Sequence, residues 1–91
     1  MIWIKRHGKI LAACDESIVG KKFSENKLEL HLKEDFYKGE LIDEKKFTKL
    51  LEEAENINLV GENTIRIANK KSLIAEVKKI KGVPYAIIFK I

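Results

Sequence analysis

The chain has 91 residues, 45% of them hydrophobic and 35% charged, with a formal net charge of +4. This composition excludes an intrinsically disordered chain, and the length allows one modest hydrophobic core and no second. One cysteine, Cys14, excludes an internal disulfide, and no apolar run approaches the roughly 20 residues that span a bilayer.

The first fourteen residues, MIWIKRHGKILAAC, read as two strands joined at His7-Gly8. In the first, Ile2 and Ile4 alternate with Trp3 and Lys5; Gly8 supplies the backbone freedom of a tight hairpin. The return strand, 10–14, is apolar on both faces, which places it in the middle of the fold. Asp15 is positioned to cap a short helical turn through the amides of Ser17 or Ile18, with Gly20 as its stop. Residues 27–33, KLELHLK, alternate as a strand, with Leu28, Leu30 and Leu32 inward and Glu29, His31 and Lys33 outward. Phe36-Tyr37 and the Gly39 turn follow. The helix at 43–55 has Asp43 as N-cap and an apolar stripe of Phe47, Leu50, Leu51 and Ala54. INLVG, 57–61, is a short strand. Residues 63–81 admit two readings: Ile65 and Ile67 alternate like a strand, yet Asn63 is placed to cap a helix through Lys71. Leu73, Ile74, Val77 and Ile80 have helical spacing ahead of Gly82 and Pro84, though the same residues fit a strand paired across the KGVP turn; periodicity favours helix. YAIIFKI, 85–91, is a strand with Tyr85, Ile87, Phe89 and Ile91 on one face. The expected fold is a single α+β domain over 1–91. An antiparallel or mixed sheet holds strands at about 1–6, 9–14, 27–33 and 84–91, the 43–55 helix packs on it, and a second helix lies within 63–81.

Charge is unevenly distributed. Residues 1–33 carry +3, residues 34–62 carry −5 and residues 63–91 carry +6. If the basic ends meet in space, Lys5, Arg6, His7, Lys9, Lys70, Lys71, Lys78, Lys79 and Lys81 pool on one face beside Tyr85. Such a face attracts RNA or a ribonucleoprotein: lysines hold phosphates and aromatic rings stack on unpaired bases. The alternative is a protein partner, docked on the acidic middle (Glu52, Glu53, Glu55) or on a sheet edge.

Reaction chemistry has weaker support. Cys14, Asp15 and Asn58 make a candidate ligand pocket or small catalytic group, which requires their side chains to converge. An isolated cysteine in an apolar strand is more often a buried packing residue. His7 and His31 have no second ligand at metal spacing, so neither a metal nor another cofactor is expected. Gly61-Glu62-Asn63 is the nearest approach to a phosphate-binding turn, but it lacks the Lys-Ser/Thr of a P-loop. A free thiol and the lack of a basic segment leading into a long apolar run set the expectation of a cytoplasmic protein, with no membrane partner. Lys and Glu dominate over two Arg and one Met, a bias of proteins from hot environments.

Taken together, MIWIKRHGKILAACD, Gly20 with Phe23, FYKGE, NLVGEN and IKGVPYA resemble an archaeal family of uncharacterised proteins, the domain-of-unknown-function family 424. The order and spacing of these pieces, from Met1 to Ala86, carry the resemblance. It implies an archaeal cytoplasmic protein of mixed α and β structure, with a helix at 63–71 and a strand at 76–81, against the periodicity reading. It implies no activity beyond an association with translation. The chain departs from the family pattern at Tyr85, where histidine is expected, so a role needing imidazole there is not carried over.

Overall fold

The computed structural model describes residues 1–74 and 76–90. Strands β1 (Ile2–His7), β2 (Ile10–Asp15), β5 (Glu40–Ile42), β6 (Asn56–Val60), β7 (Lys78–Ile80) and β8 (Val83–Phe89) form one mixed sheet in the order β5-β1-β2-β6-β8-β7. Among the described residues only β2 and β6 run parallel; every other neighbouring pair in this sheet is antiparallel. Strands β3 (Lys22–Glu25) and β4 (Leu28–His31) make a separate hairpin. The helices are α1 (Glu34–Tyr37), α2 (Glu44–Glu53) and α3 (Glu62–Lys70), with a short 3-10 turn at Glu16–Ile18.

The doubly apolar β2 takes the interior position its sequence demands: Leu11, Ala12, Ala13 and Cys14 are fully buried between β1 and β6. On one sheet face, α2 and α3 seal a core of Ile2, Ile4, Leu59 and Ile88 with Phe47, Leu51 and Ile67. The stripe on α2 faces this core as its spacing requires, and Asp43 Oδ1 accepts from the Lys46 amide at 2.8 Å, the expected cap. On the other face, the β3–β4 hairpin and α1 cover Ala12, Cys14 and Val60 with Leu32, Phe36 and Tyr37.

Three expectations are corrected. The 27–33 segment does not join the main sheet; it forms the outer hairpin, and Leu28 is 58% exposed because that hairpin covers the sheet with one end only. Instead of one main helix plus an uncertain one, three helices form among the described residues, the short α1 lying just ahead of the Gly39 turn. The helical period of Leu73, Ile74, Val77 and Ile80 is not realised: Lys78–Ile80 pair with Val83–Tyr85 as an edge strand, as the family resemblance implied, while Leu73 and Ile74 pack against the helix-side core. A spacing of three and four also fits a bend followed by a three-residue strand, and the Lys81-Gly82 turn, with both φ positive, closes that hairpin. Ala75, within the expected helix, and Ile91, on the expected face of the last strand, lie outside the described residues.

Candidate functional site

At the end of the parallel pair, β6 passes through Gly61 into α3. The first amides of α3 need acceptors, and Asp15 on β2 supplies them. Its Oδ1 accepts from the Thr64 amide at 2.8 Å and the Thr64 hydroxyl at 2.7 Å; its Oδ2 accepts from the Asn63 amide at 3.0 Å and the Asn63 side chain at 3.2 Å. Asp15 therefore does not cap the turn at 16–18, which has no side-chain cap bond. The carboxylate occupies the place an anion would take at the Gly61-Glu62-Asn63 turn, and the Gly61 amide donates to the Pro84 carbonyl at 2.8 Å, so two of the turn's three amides are already engaged.

Cys14, Asp15 and Asn58 do not converge. Asp15 points to the helix side, whereas Cys14 and Asn58 lie on the opposite face, two residue levels apart. Asn58 Oδ1 accepts from the Tyr37 hydroxyl at 3.2 Å. Burial, reinforced by the neighbouring Asp15 charge, pushes the Cys14 thiol up to about 12, and burial pushes the Tyr37 phenol up to about 12 as well. A thiol so placed is protonated at neutral pH and inert. In the folded protein, Cys14 reacts with a disulfide reagent only at the rate of global unfolding; stopped-flow labelling across denaturant that gave a faster, denaturant-independent rate would contradict this burial.

The basic residues do not pool. The pairing register aligns His7, Ile10, Asn56 and Phe89 in one row across the sheet, and Trp3, Cys14, Val60, Tyr85 and Lys78 in another, four residues further along. With four strand spacings from β1 to β7, His7 and Lys78 are about 23 Å apart, and Lys81 lies further still. In a molecule 35 Å long this puts the two basic turns at opposite ends. Lys5 Nζ donates to the Asp35 carbonyl at 2.7 Å. His7 stacks on Phe36 with centroids 4.3 Å apart, and its Nε2 donates to the Phe36 carbonyl at 2.8 Å. Lys78 and Lys79 alternate to opposite faces of β7.

Lys70 pairs with Glu44 and Lys71 with Glu52, joining α3 to α2. The Lys70 hydrogen bond holds the Glu44 carboxyl below its usual range, and the Lys71 bond does the same for Glu52. Exposed pairs of this kind stabilise little; their consequence is local cancellation, because Glu44 and Glu52 of the middle third offset the charges of Arg66, Lys70 and Lys71 of the last third. Of the acidic docking surface, Glu52 is taken up by its pair with Lys71.

A different surface stands out. The hairpin and α1 cover only part of their sheet face. The rest, over the lower halves of β2, β6 and β8, is bare. There Ile10 is 44%, Ile87 75% and Phe89 71% exposed, with Asn56 and Asn58 between them on β6. These residues line a shallow hollow of about 350 Å³. Lys9 stands in the exposed turn beside Ile10, and Lys78 stands across β8 next to Tyr85, with Glu76 at the same margin. Among the pooled candidates, Lys5, His7, Lys9, Lys78 and Tyr85 border this face, whereas Arg6, Lys70, Lys71, Lys79 and Lys81 do not. Sequence reasoning passed over Ile10, Asn56, Ile87 and Phe89. The available signal was that the last strand is apolar on both faces in a chain with few elements to cover them.

Among the described residues, no three His, Cys, Asp or Glu side chains converge as metal ligands, and no helix is long and apolar enough to cross a membrane. A search of curated proteins returns no match. The fold is similar to the crystal structure of an uncharacterized conserved protein from Methanopyrus kandleri, with a TM-score of 0.75 and 26% sequence identity over 99% of this chain and 93% of that one. The profile of a family described as a protein of unknown function (DUF424) matches residues 3–91, and with that span matched the chain belongs to this family.

Proposed function

We propose that the protein is a non-catalytic binding module for unpaired bases of a structured RNA or a ribonucleoprotein, and that it binds through the bare sheet face. One observation carries the reading: an exposed phenylalanine and two exposed isoleucines share a flat sheet surface with two asparagine side chains. A monomer gains nothing by leaving such residues in water, and contiguous apolar patches mark binding sites. Phe89 offers a stacking surface, and each base stacked on an aromatic ring contributes roughly 1–3 kcal/mol. The amides of Asn56 and Asn58 suit base edges. Lys5, Lys9 and Lys78 lie at the margins, where phosphates would pass. Among the described residues near this face, the His7 ring is stacked and hydrogen-bonded and the Cys14 thiol is buried, which supports a binding role.

With about three cations at the margin, the logarithm of RNA affinity falls against the logarithm of salt with a slope near −2, at roughly 0.7 per phosphate for single strands. A terminal face with all nine basic residues pooled would give a far steeper slope. Phe89→Ala weakens binding to a loop-containing RNA about tenfold, whereas neutralising Lys70 and Lys71 together leaves it unchanged. Fluorescence anisotropy with labelled RNA over a salt series reads both effects. No RNA binding at low salt, or equal affinity in Phe89→Ala, sinks the proposal. The branched side chains of Ile10 and Ile87 favour a second reading, a protein partner on the same face. Recovery of one stoichiometric protein that is resistant to nuclease and lost on Ile87→Ser would establish it in place of RNA.

A further inference from the structure

We infer, on the RNA-binding reading above, that the bare face selects bases with a keto edge, guanine or uracil, over adenine, and that Tyr37 is the positioning residue behind the choice. An asparagine amide reads adenine through a bidentate contact that uses both its oxygen and its N–H group. Asn58 has its oxygen engaged elsewhere: Oδ1 accepts from the Tyr37 hydroxyl at 3.2 Å. What the amide offers a ligand is its Nδ2 group, which only donates.

The surroundings fix which way the amide points. Tyr37 belongs to α1, which covers β1 and β2, and it does not line the hollow, whereas Asn58 does. The oxygen and nitrogen of an amide lie on opposite sides of its carbon, so an oxygen turned to α1 sends Nδ2 away from that helix. Among the described residues Nδ2 has no hydrogen-bond partner, and no buried side-chain nitrogen or oxygen is left unpaired. Nδ2 therefore reaches the surface. The Tyr37 side of the bond is equally constrained. The residue is 4% exposed, and burial pushes its phenol up to about 12, so the hydroxyl keeps its hydrogen at neutral pH. A buried hydroxyl needs an acceptor, and turning the amide over would take away the one it has.

The donor stands where a stacked base would meet it. Asn58 lies opposite Ile87 on β8 and diagonal to Phe89, and such diagonal neighbours are about 7–8 Å apart. A base stacked on Phe89 brings its edge toward Asn58. A keto oxygen there accepts from Nδ2. An exocyclic amino group there sets donor against donor, and both lose water without gaining a partner. Asn56, directly opposite Phe89, has no tether of this kind among the described residues, so its amide turns to suit either edge. Discrimination falls to Asn58.

The test uses two hairpin RNAs with one stem and a cytidine loop, differing by a single inosine or adenosine in that loop. The exchange swaps a keto oxygen for an amino group on the same ring frame. By fluorescence anisotropy the full chain binds the inosine RNA about tenfold more tightly. Tyr37→Phe keeps the ring but frees the amide to turn, and the preference falls to within about twofold of parity because adenosine binding improves. Asn58→Asp presents an acceptor in place of the donor and reverses the preference, on weaker binding overall because its charge repels phosphates. A structural role for Tyr37 alone would weaken both RNAs alike and leave their ratio unchanged. Equal binding of the two RNAs by the wild type overturns the inference and leaves the binding face standing. A ratio unmoved in both variants overturns the assignment to Tyr37 and Asn58. If neither RNA binds at low salt, the RNA reading fails and the selectivity falls with it.

Discussion

Gly61→Ala destabilises the fold by about 3–5 kcal/mol, a large share of the margin of a small domain. Two causes add. Gly61 has φ +111, a conformation that side-chain-bearing residues rarely adopt, and an added Cβ would lie 2.5 Å from Asp15 Cγ and Oδ1. The carboxylate cannot retreat without abandoning the Asn63 and Thr64 amides. Asp15→Ala removes the carboxylate, the nearest part of the obstacle, but leaves two backbone N–H groups and a buried hydroxyl without acceptors, at about 1–3 kcal/mol each before relaxation. The two substitutions therefore couple. In the double variant the carboxylate clash disappears and only the contact with the Cβ of residue 15, at 2.9 Å, remains, so the combined loss falls short of the two single losses by about 1 kcal/mol. Urea unfolding of the four proteins measures this. Full additivity, or a Gly61→Ala cost within about 0.5 kcal/mol, would mean that Asp15 is not pinned against Gly61.

This junction also marks the limit of what the sequence could disclose. Local devices were legible. The two apolar faces of 10–14 gave a central strand, Asp43 gave the cap of α2, and the 3.6 period of Phe47, Leu50, Leu51 and Ala54 gave its buried side. Each needs only neighbours a few residues away. Asp15 looked like a local cap for the same reason, because cap chemistry is short-ranged and Ser17 and Ile18 are its nearest amides. Its real partners are 48 and 49 residues distant, brought near by the parallel pairing of β2 with β6. The alternation of β8 was also read correctly, but alternation does not say which side is covered. Ala86 and Ile88 face the helices and are buried, while Ile87 and Phe89 face the side where the β3–β4 hairpin and α1 stop short. Charge blocks mislead in the same way. The +6 of the last third is real, yet Lys70 and Lys71 are paired with α2, and the two basic turns lie at opposite ends of the sheet.

Two phenylalanines on opposite sides of the sheet give the sharpest contrast. Phe47→Ala costs about 3–5 kcal/mol, because the ring is fully buried between α2 and the sheet and its loss leaves a cavity that packed neighbours cannot fill. For a domain of this size that lowers the melting temperature by roughly 15–30 °C. Phe89→Ala changes stability by no more than about 0.5 kcal/mol, since the ring is already in water and the substitution exposes nothing new. Calorimetry of both variants against wild type reads the difference directly. A destabilisation by Phe89→Ala approaching that of Phe47→Ala would show the ring buried in solution and would remove the bare face on which binding depends. A near-neutral result gives the binding experiment its force, because any affinity then lost on removing Phe89 belongs to the contact and not to the fold.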